Sequence, residues 1–353
     1  MEGRRTGGEA GSVTSAPMTG RAFLPDDGSA VRLAAEGLAA AHPELVRVVP
    51  DPLHLVARRR APGRRVGLVS GGGSGHEPLH SGFLGPGMLD AVAPGQVFAS
   101  PHNRQILEAS RAAAGPEGVL HIVKNYTGDR INFGIAAERL RNEGIDVARV
   151  LVDDDLATEL DTAATGRRGT AATVVVEKLV GAAADAGMGL GKVAAVGERV
   201  VAASRSLAVA ARAHTGLQTG QPAFALGPGE LEHGVGIHGE RAASTVARLP
   251  LDELVEDMVG RLWDALGGPA EVLLVVNGLG SATGLELHAL RALAGAALAR
   301  RGCTVQGSLV GTWVAALDMH GFSLTLTALE PGWLELWQAP AVTPALVVTG
   351  PGR

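Results

Sequence analysis

The sequence predicts an α/β protein made of two α/β domains, each a largely parallel or mixed sheet flanked by helices. Three observations carry that expectation. The chain has 353 residues, long for one core and comfortable for two. Short apolar runs of strand length alternate with helical stretches, which argues for parallel α/β layers rather than an all-helical or all-β fold. Hydrophobic residues make up 46% and charged residues 19%, a globular composition.

Residues 1–28 are rich in Gly, Ser, Thr and Ala and hold almost no large apolar side chain, so a disordered tail is expected there. Val31, Leu33 and Leu38 mark a helix that ends near His42-Pro43. Strands are expected over 45–49 and 66–70, the second feeding the run Gly71-Gly72-Gly73-Ser74-Gly75, which reads as a glycine loop. A helix over 105–114 leads to a buried strand over 119–123, then a helix over 133–141 and a strand over 147–152. The alanine-rich stretches 171–186 and 193–211 both read as helices. The first domain therefore covers 29–200 and the second 201–353, with a long helix able to bridge them. In the second domain a loop-rich stretch over 213–240 precedes a helix over 251–266 and a strand over 272–276. A helix over 286–301, strands over 304–309 and 322–329, and the turn Glu330-Pro331-Gly332 complete it.

Composition excludes several functions. The formal net charge is −5, aromatic residues are 3%, and no block of lysine and arginine stands out, so nucleic acid is not expected as a partner. The single cysteine, Cys303, cannot form an internal disulfide, which fits a reducing compartment. No stretch approaches a membrane span and residues 1–20 lack the apolar run of a signal peptide, so a cytoplasmic protein with no membrane partner is expected.

The 50 glycines make chance matches to glycine motifs common. After Gly75 comes His76, where a phosphate loop needs lysine and the dinucleotide fingerprint needs glycine. His76-Glu77-Pro78-Leu79-His80 matches the H-E-x-x-H pattern, but Pro78 interrupts the continuous helix that would set both histidines on one face, so no metal site is expected. His76 then reads either as a cap at a helix start or as a hydrogen-bonding group for a ligand above the glycines. Gly234-Val235-Gly236-Ile237-His238-Gly239 is a formal G-x-G-x-x-G without a clear strand before it or helix after it. His238 by itself reads as a solvated loop histidine. Lys124-Asn125-Tyr126-Thr127-Gly128-Asp129 crowds polar groups at a strand's C-terminal end, where ligands bind in open α/β sheets, and holds the only tyrosine. Asp129 reads there either as a capping residue for a helix beginning near Ile131 or as a general base.

Taken together, Gly71-Gly72-Gly73-Ser74-Gly75-His76-Glu77-Pro78, Lys124-Asn125-Tyr126-Thr127-Gly128-Asp129 and Gly236-Ile237-His238-Gly239-Glu240 resemble one family, the substrate-binding subunit of dihydroxyacetone kinases. The stretches 83–100, 168–184, 277–280 and 321–326 join the match. The resemblance implies that His238 bonds covalently to the ketone carbon as a hemiaminal, and that Asp129 is the base on the hydroxyl to be phosphorylated. It implies that His76 hydrogen-bonds the substrate and that Gly73 and Lys124 contact it. It also implies a homodimer, no cofactor held by this chain, and a partner subunit that supplies phosphate from Mg-ADP/ATP or a phosphohistidine relay. The donor domain fused to single-chain members is not expected within these residues. Asp153-Asp154-Asp155 reads as a solvated strand end rather than a magnesium site. The sequence departs from the family's usual pattern at Ala93, at His102-Asn103-Arg104, over 213–221, at Arg241-Ala242 after Glu240, and at Gly284. Two alternatives stand beside the kinase subunit: a non-catalytic dihydroxyacetone sensor, and a subunit for another small ketose.

Overall fold

The computed structural model describes residues 23–25, 27–159, 166–217, 219–241 and 244–350, so most of the expected tail over 1–28 lies outside the described residues. Helix α1 (Ala30–Ala41) buries Val31 and Ala35 and stops at His42, ahead of Pro43. A hairpin of β1 (Val46–Pro50) and β2 (Leu53–Ala57) follows. Then come β3 (Gly67–Ser74), β4 (Ala91–Val97), α2 (Asn103–Ala113), β5 (Val119–Lys124), α3 (Thr127–Asn142) and β6 (Val147–Val152). These strands form one six-stranded sheet in the order β1-β2-β4-β3-β5-β6, whose last four strands run parallel.

Helices α4 (Ala172–Asp185) and α5 (Leu190–Ala202) lead to β7 (Ser204–Arg212), β8 (Glu230–His233) and β9 (Ser244–Ala247). Helix α6 (Leu251–Ala265), β10 (Glu271–Gly278), α7 (Gly284–Arg300), β11 (Thr304–Gly311) and β12 (His320–Ala328) complete a second sheet in the order β11-β10-β12-β7-β8-β9. Only the β10–β11 pair in it is parallel. Helix α8 (Trp333–Gln338) and a small ladder of β13 (Ala341–Val342) and β14 (Val347–Val348) end the described chain.

The sheets stack as layers. On one face of the first sheet, Ile106 of α2 and Phe133 and Leu140 of α3 pack on Val69 and Val123. On its other face Val175, Leu179 and Val193 of α4 and α5 meet Leu68, Leu120 and Ile122, and the same core reaches Leu273 and Val275 of β10. The alternate residues of β10, Val272, Leu274 and Val276, face Leu254 and Met258 of α6 and Leu290 of α7. A strand covered on both faces reads as a continuous apolar run, which is why residues 272–276 were visible in the sequence. Every residue of α4 from Ala172 to Ala184 is buried, including Glu177 and Lys178, as befits a helix lying in a middle layer. Among the described residues no helix is long and apolar enough to cross a membrane.

Four sequence expectations are corrected. The helix expected over 193–211 ends at Ala202, and residues 204–212 form β7. The Ser204 hydroxyl donates back to Val200 O at 2.7 Å where the helix stops, and pairing with β12 and β8 overrides the helical preference of alanine. The glycines Gly71, Gly72 and Gly73 are strand residues of β3, not a loop. No helix starts at His76: residues 75–80 form turns before a short 3₁₀ turn, Ser81–Phe83. Nor is the acidic triplet a solvated strand end. Asp154 accepts from Thr170 N–H and Oγ1, Ala172 N–H and the Ser206 hydroxyl, and Asp155 pairs with Arg168, so both are buried.

Candidate active site

A crevice opens between two parallel strands. β3 and β5 pair from Gly67↔Val119 to Ser70↔Ile122 and no further. Beyond that point β3 stays with β4 through Gly71↔Ala93 and Gly73↔Gly95, while β5 stays with β6 through Lys124↔Val152. The C-terminal ends of the two strands therefore part, as at ligand crevices of open α/β sheets. The glycines are needed there for close approach. A Cβ on Gly73 would lie 2.7 Å from Ala99 N and 2.8 Å from Phe98 C, and a Cβ on Gly72 would collide with the Lys124 ammonium.

The turn after β3 sets His76. Gly75 has φ +98°, and its N–H donates to Glu77 Oε2 at 2.9 Å. The 315–317 loop of the second sheet docks on this turn: Leu317 N–H donates to Gly75 O at 2.9 Å and Ala315 N–H to His76 O at 3.2 Å. His76 Nδ1–H donates to Ala315 O at 2.8 Å, since a carbonyl only accepts. Its Nε2 is thereby left as a lone pair without a protein partner. Burial, followed by the His238 ring and the Lys124 ammonium, holds this imidazole well below the ordinary histidine range. Asn277 fixes the docking loop, accepting from Trp313 and Val314 N–H at 2.8 Å each and donating to Val314 O at 2.9 Å.

His238 arrives from the turn after β8. Its Nδ1–H donates to Glu240 Oε1 at 2.8 Å and its backbone N–H to Oε2 at 2.9 Å, so both carboxylate oxygens hold one residue. With the proton on Nδ1, Nε2 is free as a nucleophile. Burial alone raises the Glu240 carboxyl, but the hydrogen bond from His238, with Arg168 behind it, outweighs burial and brings the group down to about 2. Arg168 is itself held by Asp155 and by Gly234 O at 2.8 Å. The His238 ring stands edge-on to Tyr126 at 4.5 Å, to His76 at 4.8 Å and to Phe98 at 5.3 Å between ring centres.

Lys124 ends β5 and Asp129 lies in the first turn of α3, which begins at Thr127 rather than near Ile131. Asp129 is therefore inside the helix and does not cap it. Lys124 Nζ is 3.9 Å from Asp129 Oδ2, and both side chains are buried. Burial pulls the Lys124 ammonium down, against Asp129 and Glu177. The Tyr126 phenol is pushed well up, by burial first and then by Glu240. His76 Nε2, Asp129 Oδ1 and Tyr126 Oη are all buried without a partner among the described residues. Unpaired buried polar atoms are uncommon, and three around one crevice mark a place for a small polar ligand.

The structure thus gathers His76, Gly73, Lys124, Asp129 and His238 around one crevice drawn from both sheets. Sequence reasoning passed over Glu240 as the histidine's holder, Phe98 as a wall, and Asn277 as the anchor of the docking loop. It took His80 only as half of a chance zinc pattern. Glu240 alone left a signal, a carboxylate two residues after a histidine in a glycine turn. Gly234–Gly239 has β8 before it, but β9 and not a helix follows, so it lacks the dinucleotide geometry.

Comparison with known proteins bears on the family and the fold. The profile of the Dak1 domain matches residues 36–345. The chain is 40% identical over 337 residues to the PEP-dependent dihydroxyacetone kinase, dihydroxyacetone-binding subunit DhaK, of Escherichia coli K12, covering 88% of this chain and 94% of that protein. Among solved structures it is similar to the dihydroxyacetone kinase of C. freundii in complex with AMP-PNP and Mg2+, with a TM-score of 0.86 and 34% identity over 93% of this chain and 61% of that one. It is similar too to the dihydroxyacetone kinase operon co-activator Dha-DhaQ, with a TM-score of 0.84 and 30% identity over 89% of this chain and 98% of that one. This chain belongs to the Dak1 domain family.

Proposed function

We propose that this chain is the acceptor-holding subunit of a dihydroxyacetone kinase, in which His238 binds the ketone as a hemiaminal and Asp129 activates its hydroxyl for phosphorylation in trans. The observation that carries the reading is the commitment of His238 Nδ1 to Glu240, which leaves Nε2 as a lone pair on a ring 4.8 Å from that of His76.

The chemistry balances without a co-reactant. As Nε2 forms its bond to the carbonyl carbon, the carbonyl π pair moves to oxygen. One proton passes in net from Nδ1 to that oxygen, with the Glu240 carboxylate as the acceptor beside Nδ1, and the carbonyl becomes a hydroxyl. A three-carbon ligand offers little contact area, so a covalent bond supplies the affinity and fixes the acceptor for in-line transfer. It also rejects glycerol, which has no carbonyl carbon. His76 Nε2, a lone pair, accepts from a substrate hydroxyl. Asp129 then takes the proton of the other hydroxyl as its oxygen attacks phosphorus, and the leaving group remains on the donor. The E. coli relative's name, a dihydroxyacetone-binding subunit of a PEP-dependent kinase, supports a donor on a separate subunit. Homodimeric assembly and a cytoplasmic setting go with this reading, and sedimentation tests the first.

Intact-protein mass spectrometry tests the covalent step. The wild type should gain the full mass of dihydroxyacetone without loss of water, and His238→Ala should gain nothing. An adduct that survives in His238→Ala sinks the assignment. The likeness to the operon co-activator, which spans 98% of that chain, supports a second reading as a ketone sensor. Adduct formation without phosphorylation by any matched donor subunit would select it.

A further inference from the structure

A chain of buried polar side chains leads away from the crevice into the middle layer. Glu177 lies midway along α4, fully buried, with Oε1 2.6 Å from His80 Nδ1. His80 Nε2 lies 3.0 Å from Lys124 Nζ, and Lys124 reaches Asp129 at 3.9 Å. A relay of carboxylate, imidazole, ammonium and carboxylate thus ends on the group assigned above as the base. We propose that Glu177, acting through His80, is a positioning residue that holds Lys124 as an ammonium ion beside Asp129. The inference rests on the reading above, in which Lys124 and Asp129 face the acceptor.

Two proton arrangements fit this relay. In one, Lys124 donates to His80 Nε2, and His80 Nδ1–H donates to the Glu177 carboxylate. In the other, every proton is shifted one place: Glu177 is a neutral acid donating to Nδ1, and Nε2–H points at a neutral amine. Two contacts select the first. Ser70 Oγ lies 2.9 Å from His80 Nδ1, and its one proton has acceptors in Ile122 O at 2.8 Å and the Glu177 carboxylate, so beside Nδ1 it serves as an acceptor of Nδ1–H. Asp129 on the far side of Lys124 favours the ammonium. Burial pushes Glu177 well up, with Lys124 and then Ser70 opposing it, and pulls Lys124 down, with Asp129 and then Glu177 opposing it. The partners therefore keep their charges only as a linked set. The titratable groups facing Lys124 are Asp129 from α3, His80 and His76 from the turn after β3, and Glu177 behind His80. The sequence supports a specific need for lysine: of 31 lysines and arginines only three are lysine. A lysine ammonium is compact and titrates, whereas a guanidinium does neither.

Glu177→Gln is the test. Its amide can donate to His80 Nδ1, which turns Nε2–H onto Lys124 and opposes donor to donor. Because the chain has only Lys124, Lys178 and Lys192, ¹⁵Nζ-lysine NMR resolves the group directly. The titration midpoint of Lys124 should fall by about one unit or more, with Lys192 unmoved. Turnover with a matched donor should fall roughly tenfold in kcat, with the alkaline limb of its pH profile moved down alongside and KM held within about twofold. A folded Glu177→Gln protein with an unchanged Lys124 midpoint overturns the proposal. If that variant does not fold, ¹⁵N NMR of the unmodified protein decides, since His80 must carry its proton on Nδ1 and an Nε2–H tautomer refutes the relay. Both NMR readings need no substrate. A wild type that forms no ketone adduct therefore defeats the functional reading alone.

Discussion

The bond between Glu240 and His238 yields the sharpest prediction, because a one-atom change breaks it in a defined way. The Glu240 carboxylate serves two donors at once, His238 Nδ1–H at 2.8 Å and His238 backbone N–H at 2.9 Å. Glu240→Gln keeps the shape but offers one acceptor oxygen and one donor amide. If the oxygen takes Nδ1–H, the amide faces the backbone N–H. If the amide faces Nδ1, the ring shifts to its Nε2–H tautomer and loses the nucleophilic lone pair. Either outcome forfeits one charge-assisted hydrogen bond, worth about 1.5–3 kcal/mol. The Glu240 side chain is 37% exposed, so solvent screens the pair. The low end therefore applies, about 1.5 kcal/mol, or roughly tenfold in the hemiaminal equilibrium. Intact-mass titration with dihydroxyacetone should show half-saturation displaced to about tenfold higher ketone. A Glu240→Gln protein that fills at the wild-type concentration refutes the account of how the nucleophile is prepared.

Three further outcomes follow from the same geometry. Asp129→Asn should retain the ketone adduct while phosphorylation with a matched donor falls by about 10² or more, and parallel loss of adduct and turnover would remove Asp129 from the role of base. Gly73→Ala should lower stability by about 1–3 kcal/mol in a urea titration, because its methyl group meets the backbone of Phe98 and Ala99 at 2.7–2.8 Å; an unchanged midpoint would show that the strand can open there at no cost. The Glu240 carboxyl is lowered in the fold from its ordinary 4.5 to about 2. Its contribution is thus fully present above pH 4.5 and is lost as pH falls toward 2, no more than about 2 kcal/mol after screening, and Glu240→Gln should flatten that part of the pH–stability curve.

Much of the architecture was legible because its strands are covered on both faces and read as unbroken apolar runs. β10 is of this kind, and β5 is buried along its whole length around His121. β7 was not legible, because Leu207, Ala208, Val209 and Ala210 satisfy helical and strand preferences alike, and only pairing with β12 decides. The glycines of β3 misled for a related reason. Glycine normally weakens a strand, and here it is kept because the Lys124 ammonium and the Phe98–Ala99 backbone occupy the space a side chain would need. His238, His76 and Asp129 could be singled out only through the resemblance of three motifs taken together. His80 and Glu177, separated by 97 positions, share no motif, and their partnership exists only once α4 is laid against β3 and β5.

The crevice belongs to neither sheet. Asp129, Lys124 and the glycine strand belong to the first sheet and its helices, and His238 comes from the second. What joins them is a short set of hydrogen bonds: Leu317 N–H to Gly75 O, Ala315 N–H to His76 O, His76 Nδ1–H to Ala315 O, and Arg168 to Gly234 O. These bonds also set the protonation of the chemistry. Ala315 O commits His76 to its Nδ1–H form, just as Glu240 commits His238. Two imidazoles 4.8 Å apart then both present Nε2 lone pairs, and two imidazolium ions at that distance would repel. A neutral pair is what the proposed reaction requires, since a protonated His238 has no lone pair to offer a carbonyl carbon. The docking of the two sheets therefore does more than close the crevice: it selects the tautomers that the proposed roles need, one histidine as nucleophile and the other as acceptor for a substrate hydroxyl.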